Sequence, residues 1–151
     1  MRIVLQRVTR ASVDVDGATT GAIETGLLAL VGVAAGDTDE DARVAGAKIA
    51  ALRIFPDADG KMNVGVADAG GSVLIVSQFT LLADIRKGRR PAFTEAADPE
   101  EAVPVLAALA EAIEAVGIPV AHGRFGARMM VDLVNDGPVT IVFDVTSGRV
   151  S

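Results

Sequence analysis

From Ala11 to Asp16 the chain alternates, with Ser12, Asp14 and Asp16 polar and Val13 and Val15 apolar. A period of two predicts a half-buried β-strand over Ala11–Val15, and Arg2–Val8 reads as a second strand. Asp16-Gly17 is a strong hairpin signal, with Thr19–Ile23 as the return strand. Leu27–Val33 is a continuous apolar run bounded by glycines, the pattern of a fully buried strand. Thr38 is placed to cap a helix over about Asp39–Leu52. Acidic residues fill its first turn and Lys48 lies in its second half, which suits the helix dipole. "RIF" (Arg53–Phe55) reads as a short strand and "PDADGK" as a turn. Val73–Ser77 is a buried strand that runs into "QFTLL".

Asp98-Pro99-Glu100-Glu101 carries an N-cap residue, proline at the first helical position and an acid at the third. The helix is expected to reach Val116, where Gly117 stops it and Pro119 prevents its return. Pro104 falls in the second turn and predicts a strained or shifted start. Val120–His122, Met129–Val134 and Val139–Val145 complete the strands. Roughly seven or more strands stand against two main helices, without a repeated strand–helix–strand rhythm. The expected fold is α+β: a curved, barrel-like, mostly antiparallel sheet carrying two main helices. With 151 residues and no repeat or linker, residues 1–151 are expected to form a single domain.

Composition narrows the function. Hydrophobic residues are 50% of the chain, far from a disordered composition. Aromatics are only 3%, with no Trp and no Tyr, so aliphatic side chains must build the core. Few rings remain for stacking on bases, which disfavours a single-strand coating protein. No cysteine is present, so disulfides, thiolate metal sites and a cysteine nucleophile are excluded. The amino-terminal stretch lacks a signal-like apolar segment, and the longest apolar runs fall short of a membrane span. A soluble, cytoplasmic protein with no membrane partner is expected. The net charge is −6 and the pI about 4.7. Any contact with a polyanion must therefore be local.

Four short stretches could carry chemistry. "SQFTL" (Ser77–Leu81) delivers polar groups at the end of an apolar strand. They could satisfy backbone groups where the strand stops. Alternatively they form a pocket rim, with the Thr80 hydroxyl and adjacent backbone N–H groups as an oxyanion hole. "RKGRRPAF" (Arg86–Phe93) places Arg86, Lys87, Arg89 and Arg90 within five positions. It is either a solvated loop or a small phosphate clamp. "GRFGARM" (Gly123–Met129) reads as a tight turn with a core Phe125, or as a loop lining the same pocket. "NDGPVT" (Asn135–Thr140) reads as a turn between two strands. Its Gly137-Pro138 bond could be cis at a cost of about 0.5–1 kcal/mol. His122 is the one histidine. A Ser-His-Asp triad would have to use it, and a structural role at a strand end competes with that. No zinc-hydrolase, nucleophile-elbow or phosphate-loop motif is present.

Together these stretches resemble the standalone D-aminoacyl-tRNA deacylase family. The likeness runs from "MRIVLQRVTRASVDVDG" through "GLLALVGV", "GDT", "LRIFPDADGKMN" and "SQFTLLADIRKGRRPAF" to "GRFGARMMVDLVNDGPVT". "SQFTL" and "NDGPVT" match that family's two signature motifs, in the right order. The resemblance implies a barrel-like α+β domain acting as a homodimer, with the active site at the subunit interface. It implies hydrolysis of the ester of a D-aminoacyl-tRNA, or of mischarged glycyl-tRNA, at the 3′ end, with no metal and no organic cofactor. By the same resemblance Ser77, Gln78, Phe79 and Thr80 line the catalytic pocket. The Phe79 and Thr80 N–H groups then hold the aminoacyl carbonyl. Gly137 and Pro138, joined by a cis bond, reach into the partner's pocket and reject L substrates. Arg7 supports that motif, and Met129 and Phe125 shape the pocket. Whether Thr80 is nucleophile or positioner stays open. The competing reading is a noncatalytic module that binds tRNA acceptor ends.

Overall fold

The computed structural model describes residues 1–151. Its elements in chain order are β1 (Arg2–Val15), β2 (Ala18–Ile23), β3 (Gly26–Gly32), α1 (Asp39–Ala51), β4 (Arg53–Pro56) and β5 (Met62–Gly65). Then follow β6 (Ser72–Ser77), a short 3-10 helix (Phe79–Leu82), α2 (Pro99–Glu114), β7 (Val120–His122), β8 (Met130–Thr146) and β9 (Arg149–Val150). The main sheet has seven strands in the order β7-β6-β3-β1-β8-β9, with β2 also paired to β1. β4 and β5 form a separate hairpin. The α+β class, the two main helices and the curled sheet are as the sequence led us to expect.

Most pairings are antiparallel, but β3–β6 and β6–β7 are parallel. Parallel neighbours need a long crossover. Here α1 with the β4–β5 hairpin carries the first crossover and α2 the second. The expectation of no strand–helix–strand rhythm is corrected accordingly. The two apolar runs are explained by the same arrangement. Leu27, Ala29, Val31, Val73 and Ile75 join a cluster of 24 buried residues that includes the helices. Leu28, Leu74 and Val76 pack instead into a smaller cluster with β1 and β2 inside the curl. Buried on both faces, such strands read as unbroken hydrophobic sequence.

Two pairs of expected strands are each one strand. Arg2–Val8 and Ala11–Val15 fuse into β1, which pairs with β8 through bulges on either side of Val8. The polar Thr9-Arg10 step marks a bulge rather than a strand end. Met129–Val134 and Val139–Val145 likewise fuse into β8. "NDGPVT" is therefore not a hairpin turn. It is a large bulge, in which the two steps from Gln6 to Val8 are matched by the five from Thr140 back to Asn135.

Helix α1 starts on the expected cap. Thr38 Oγ1 accepts from the Asp41 N–H at 3.3 Å, and the Asp41 carboxylate accepts from the Thr38 N–H at 3.0 Å. Helix α2 starts at Pro99 as expected, but the Asp98 side chain makes no capping hydrogen bond. Pro104 is accommodated inside α2, which ends at Glu114. The curl closes where β2 meets β7. A Cβ added at Gly21 would lie 2.3 Å from the His122 carbonyl oxygen, an approach only glycine permits. No helix is long and apolar enough to cross a membrane.

Candidate active site

The parallel strands β3, β6 and β7 bring their carboxyl ends to one place: Val33, Ser77 and His122-Gly123. Two neighbouring cavities open there. The larger, about 400 Å³, is lined by Ser77, Phe79, Phe93, Phe125 and Met129, with Asp98, Pro99 and Ala102 of the start of α2. The smaller, about 220 Å³, is lined by Ser77, His122, Gly123 and Phe125 with apolar residues of α2. Ser77 and Phe125 belong to both, so they form the partition between them.

Each side chain here is placed by a local device. Gln78 continues the sheet by one bond, its N–H donating to the Val31 carbonyl at 2.8 Å. The chain then tightens into the 3-10 helix, whose first turn contains the N–H groups of Phe79 and Thr80. Donors in a first helical turn have no acceptor within the helix. Gln78 Nε2 donates to Thr80 Oγ1 in a short contact. That bond holds the hydroxyl of exposed Thr80 beside Gln78. The Phe79 ring, half exposed, meets Phe93 edge-on at 5.0 Å between centroids. The Met129 side chain packs close over Gly123: a Cβ there would lie 2.7 Å from Met129 Sδ. Phe125 is an exposed wall of the cavities and not the core residue of the turn reading.

The second constellation lies on β8, outside both cavities. Gly137 adopts φ +115°, which only glycine takes without strain. Gly137 and Pro138 are exposed. No peptide bond in the chain is cis, so the expected cis Gly137-Pro138 bond is corrected to trans. The trans isomer is the cheaper one, and the positive φ at Gly137 carries the change of direction instead. Buried Arg7 packs beneath the bulge. Its Nη1 donates to the Ile54 carbonyl at 2.5 Å, and its Nε lies 3.3 Å from the Asp136 carbonyl and 3.0 Å from the Asp136 carboxylate. Arg7 thus meets the Gly137-Pro138 segment from below, and it meets neither cavity.

The basic stretch forms an exposed loop closed by a bridge between Asp84 and Ala92. Arg86 is already paired within it: Nη2 lies 2.7 Å from the Asp84 carboxylate. The Arg86 hydrogen bonds hold the Asp84 carboxyl below its ordinary range. Lys87, Arg89 and Arg90 form no ion pair within the chain, which reduces the expected clamp of four cations to three.

The structure brings Ser77, Phe79, Phe125 and Met129 around one cavity and sets Arg7 beneath Gly137, whereas Gln78 and Thr80, expected in the same lining, line neither cavity. Sequence reasoning missed Phe93, which was read only as the end of a basic run, and the start of α2, read only as a helix signal. It also passed over Asn135, treated as a turn residue.

A family model described as D-Tyr-tRNA(Tyr) deacylase matches residues 4–144. The chain belongs to the D-aminoacyl-tRNA deacylase family. It is 58% identical over 144 residues to the D-aminoacyl-tRNA deacylase of Chloroflexus aurantiacus, covering 95% of this chain and 90% of the relative. It is 55% identical to that of Halalkalibacterium halodurans, covering 95% and 99%. A solved structure named c-Myc DNA Unwinding Element Binding Protein superposes with TM-score 0.90 at 39% identity, covering 97% of this chain and 100% of that one. A probable eukaryotic D-amino acid tRNA deacylase shares the fold at 18% identity, with TM-score 0.82 over 95% of this chain and 98% of that one. Family membership makes the chain an enzyme, a hydrolase.

Proposed function

We propose that this deacylase hydrolyses the ester linking a D-amino acid to the 3′ end of tRNA, and that glycyl-tRNA is a second substrate. The observation that carries the reading is the coincidence of family membership over residues 4–144 with an apolar cavity lined by Ser77 and Phe79 of the "SQFTL" stretch. The aminoacyl end enters at Ser77 and Phe79. The Phe79 and Thr80 N–H groups receive the carbonyl oxygen as negative charge develops on it. A donor of this kind is worth on the order of 3 kcal/mol of barrier. Water adds to the carbonyl carbon, and the neighbouring 2′-hydroxyl of the terminal adenosine orients it. The bond from carbonyl carbon to 3′-oxygen breaks, and the water's proton ends on that oxygen. The products are tRNA with a free 3′-hydroxyl and the D-amino acid. Thr80, held by Gln78, is a positioner in this scheme, and no metal or cofactor takes part.

Chiral selection is assigned to the exposed main chain of Gly137 and Pro138, acting in the pocket of a second copy. Two observations support this. The segment lies outside its own chain's cavities. The outer edge of β8 is also left unpaired from Met130 to Phe143, with Met130, Val131, Val134 and Val142 exposed along it. A long apolar edge of this kind invites pairing with another chain. The segment is main chain that cannot change rotamer, and it rejects L substrates sterically. The protein acts in the cytoplasm as one domain, and Lys87, Arg89 and Arg90 contact tRNA phosphates.

The test is incubation of the purified protein with matched D- and L-aminoacyl-tRNA carrying one amino acid, in the presence of chelator. Rapid loss of the D ester alone is expected. Binding without loss of either ester, or of glycyl-tRNA, would replace the enzyme reading with an acceptor-end binding module. Undiminished activity on tRNA ending in 2′-deoxyadenosine would refute substrate assistance.

A further inference from the structure

We propose that Asn135 is the positioning residue of D/L selection: its carboxamide fixes how far the Gly137-Pro138 segment projects. This rests on the reading of that segment as the chiral gauge. The β1–β8 register skips only Arg7: Gln6 pairs with Thr140 and Val8 with Asn135, so the ladder flanks the base of the bulge on both sides and leaves a gap between. The Asn135 side chain spans that gap. Its Nδ2 donates to the Arg7 carbonyl across the sheet at 2.9 Å and to the Val139 carbonyl on the far side of the bulge at 3.0 Å. Thr140 Oγ1 lies 3.5 Å from Asn135 Oδ1, and Gln6 Nε2 donates to Thr140 Oγ1 at 3.3 Å.

Two carbonyls from two strand segments therefore meet on one nitrogen. Only a primary amide of this length supplies two donors from one atom. Aspartate offers acceptors alone and would set oxygen against oxygen. Serine offers one donor. The Arg7 side chain fills the interior of the bulge, and Asn135 ties its neck. Arg7 meets Gly137 only from the inner side and Asn135 stays at the neck, so the exposed side of Gly137 and Pro138 stays free to meet a substrate. A neck tied at two points leaves the tip one projection. With the tie cut, the tip samples others, some of which admit an L side chain.

The readout is the ratio of kcat/KM for D- over L-aminoacyl-tRNA. Unfolded protein hydrolyses neither ester, so a merely structural defect lowers both rates by one factor and leaves the ratio unchanged. Asn135→Ala is expected to lower the ratio about ten-fold or more, mainly by raising the L rate. Asn135→Asp, nearly the same size, is expected to lower it at least as far, and it serves if the alanine variant folds poorly. An unchanged ratio in both variants, while Gly137→Ala lowers it, would overturn the role of Asn135 and leave the gauge standing. A wild-type protein without D preference would overturn the gauge itself, and this inference with it.

Discussion

Gly137→Ala probes how the bulge is held. A non-glycine residue at φ +115° costs about 1–3 kcal/mol in backbone strain. The new Cβ would also stand 2.6 Å from Arg7 Nη2 and 3.0 Å from Val139 Cγ2. Arg7 is not free to swing aside. It is buried, with Nη1 on the Ile54 carbonyl and Nε on Asp136. Shifting it weakens hydrogen bonds from a charged group, worth about 1.5–3 kcal/mol each. With one such bond lost, the variant should be less stable by about 2.5–6 kcal/mol. In an Arg7→Ala background only the Val139 contact remains, and the same substitution should cost little beyond the backbone share, about 1–3 kcal/mol. Urea unfolding of the four proteins at one protein concentration then yields a coupling of about 1.5–3 kcal/mol. Equal costs in the two backgrounds would show that Arg7 does not confine the bulge.

Three further outcomes are expected. Gly21→Ala drives a methyl into the His122 carbonyl, a backbone atom that has no rotamer to change, and should lower stability by about 1–3 kcal/mol in thermal unfolding. The Asp41 carboxyl is held below its ordinary range, first by the Gly148 N–H and then by Thr38. A carboxyl depressed in the folded state contributes stability that is full above its unfolded pKa of about 3.9 and is lost as pH falls through the folded value. Asp41→Asn should therefore cost stability at pH 7 and flatten the loss on acidification, read as urea midpoints from pH 7 to pH 3. Arg89→Ala and Arg90→Ala should each reduce the salt slope of tRNA binding by about one, whereas Arg86→Ala, already paired to Asp84, should change it less.

Much of this molecule was legible as pattern. The alternation at Ser12–Asp16, the Asp16-Gly17 turn, the glycine-bounded run at Leu27–Val33 and the Thr38 and Pro99 helix starts all record local physics. Local preferences act within a few residues, so local sequence reports them. Breaks in pattern were harder to read. A bulge and a turn both interrupt alternation and both use glycine, so Thr9-Arg10 and Asn135–Pro138 looked like strand ends. Only the partner strand distinguishes them: β1 and β8 stay paired through both interruptions.

The site divides in the same way. The residue types at Ser77–Thr80 and Gly137-Pro138, and the family they mark, were set by sequence alone. That Phe93 and the start of α2 wall the same cavity was decided by the crossovers that bring β3, β6 and β7 side by side. That Arg7 sits under Gly137, 130 positions along the chain, and that Asn135 ties two strand segments, was decided by the β1–β8 pairing. The trans bond and the positive φ at Gly137 were decided there too. Contacts between distant residues are chosen by the energy of the packed whole, in which a local motif is one contributor among many.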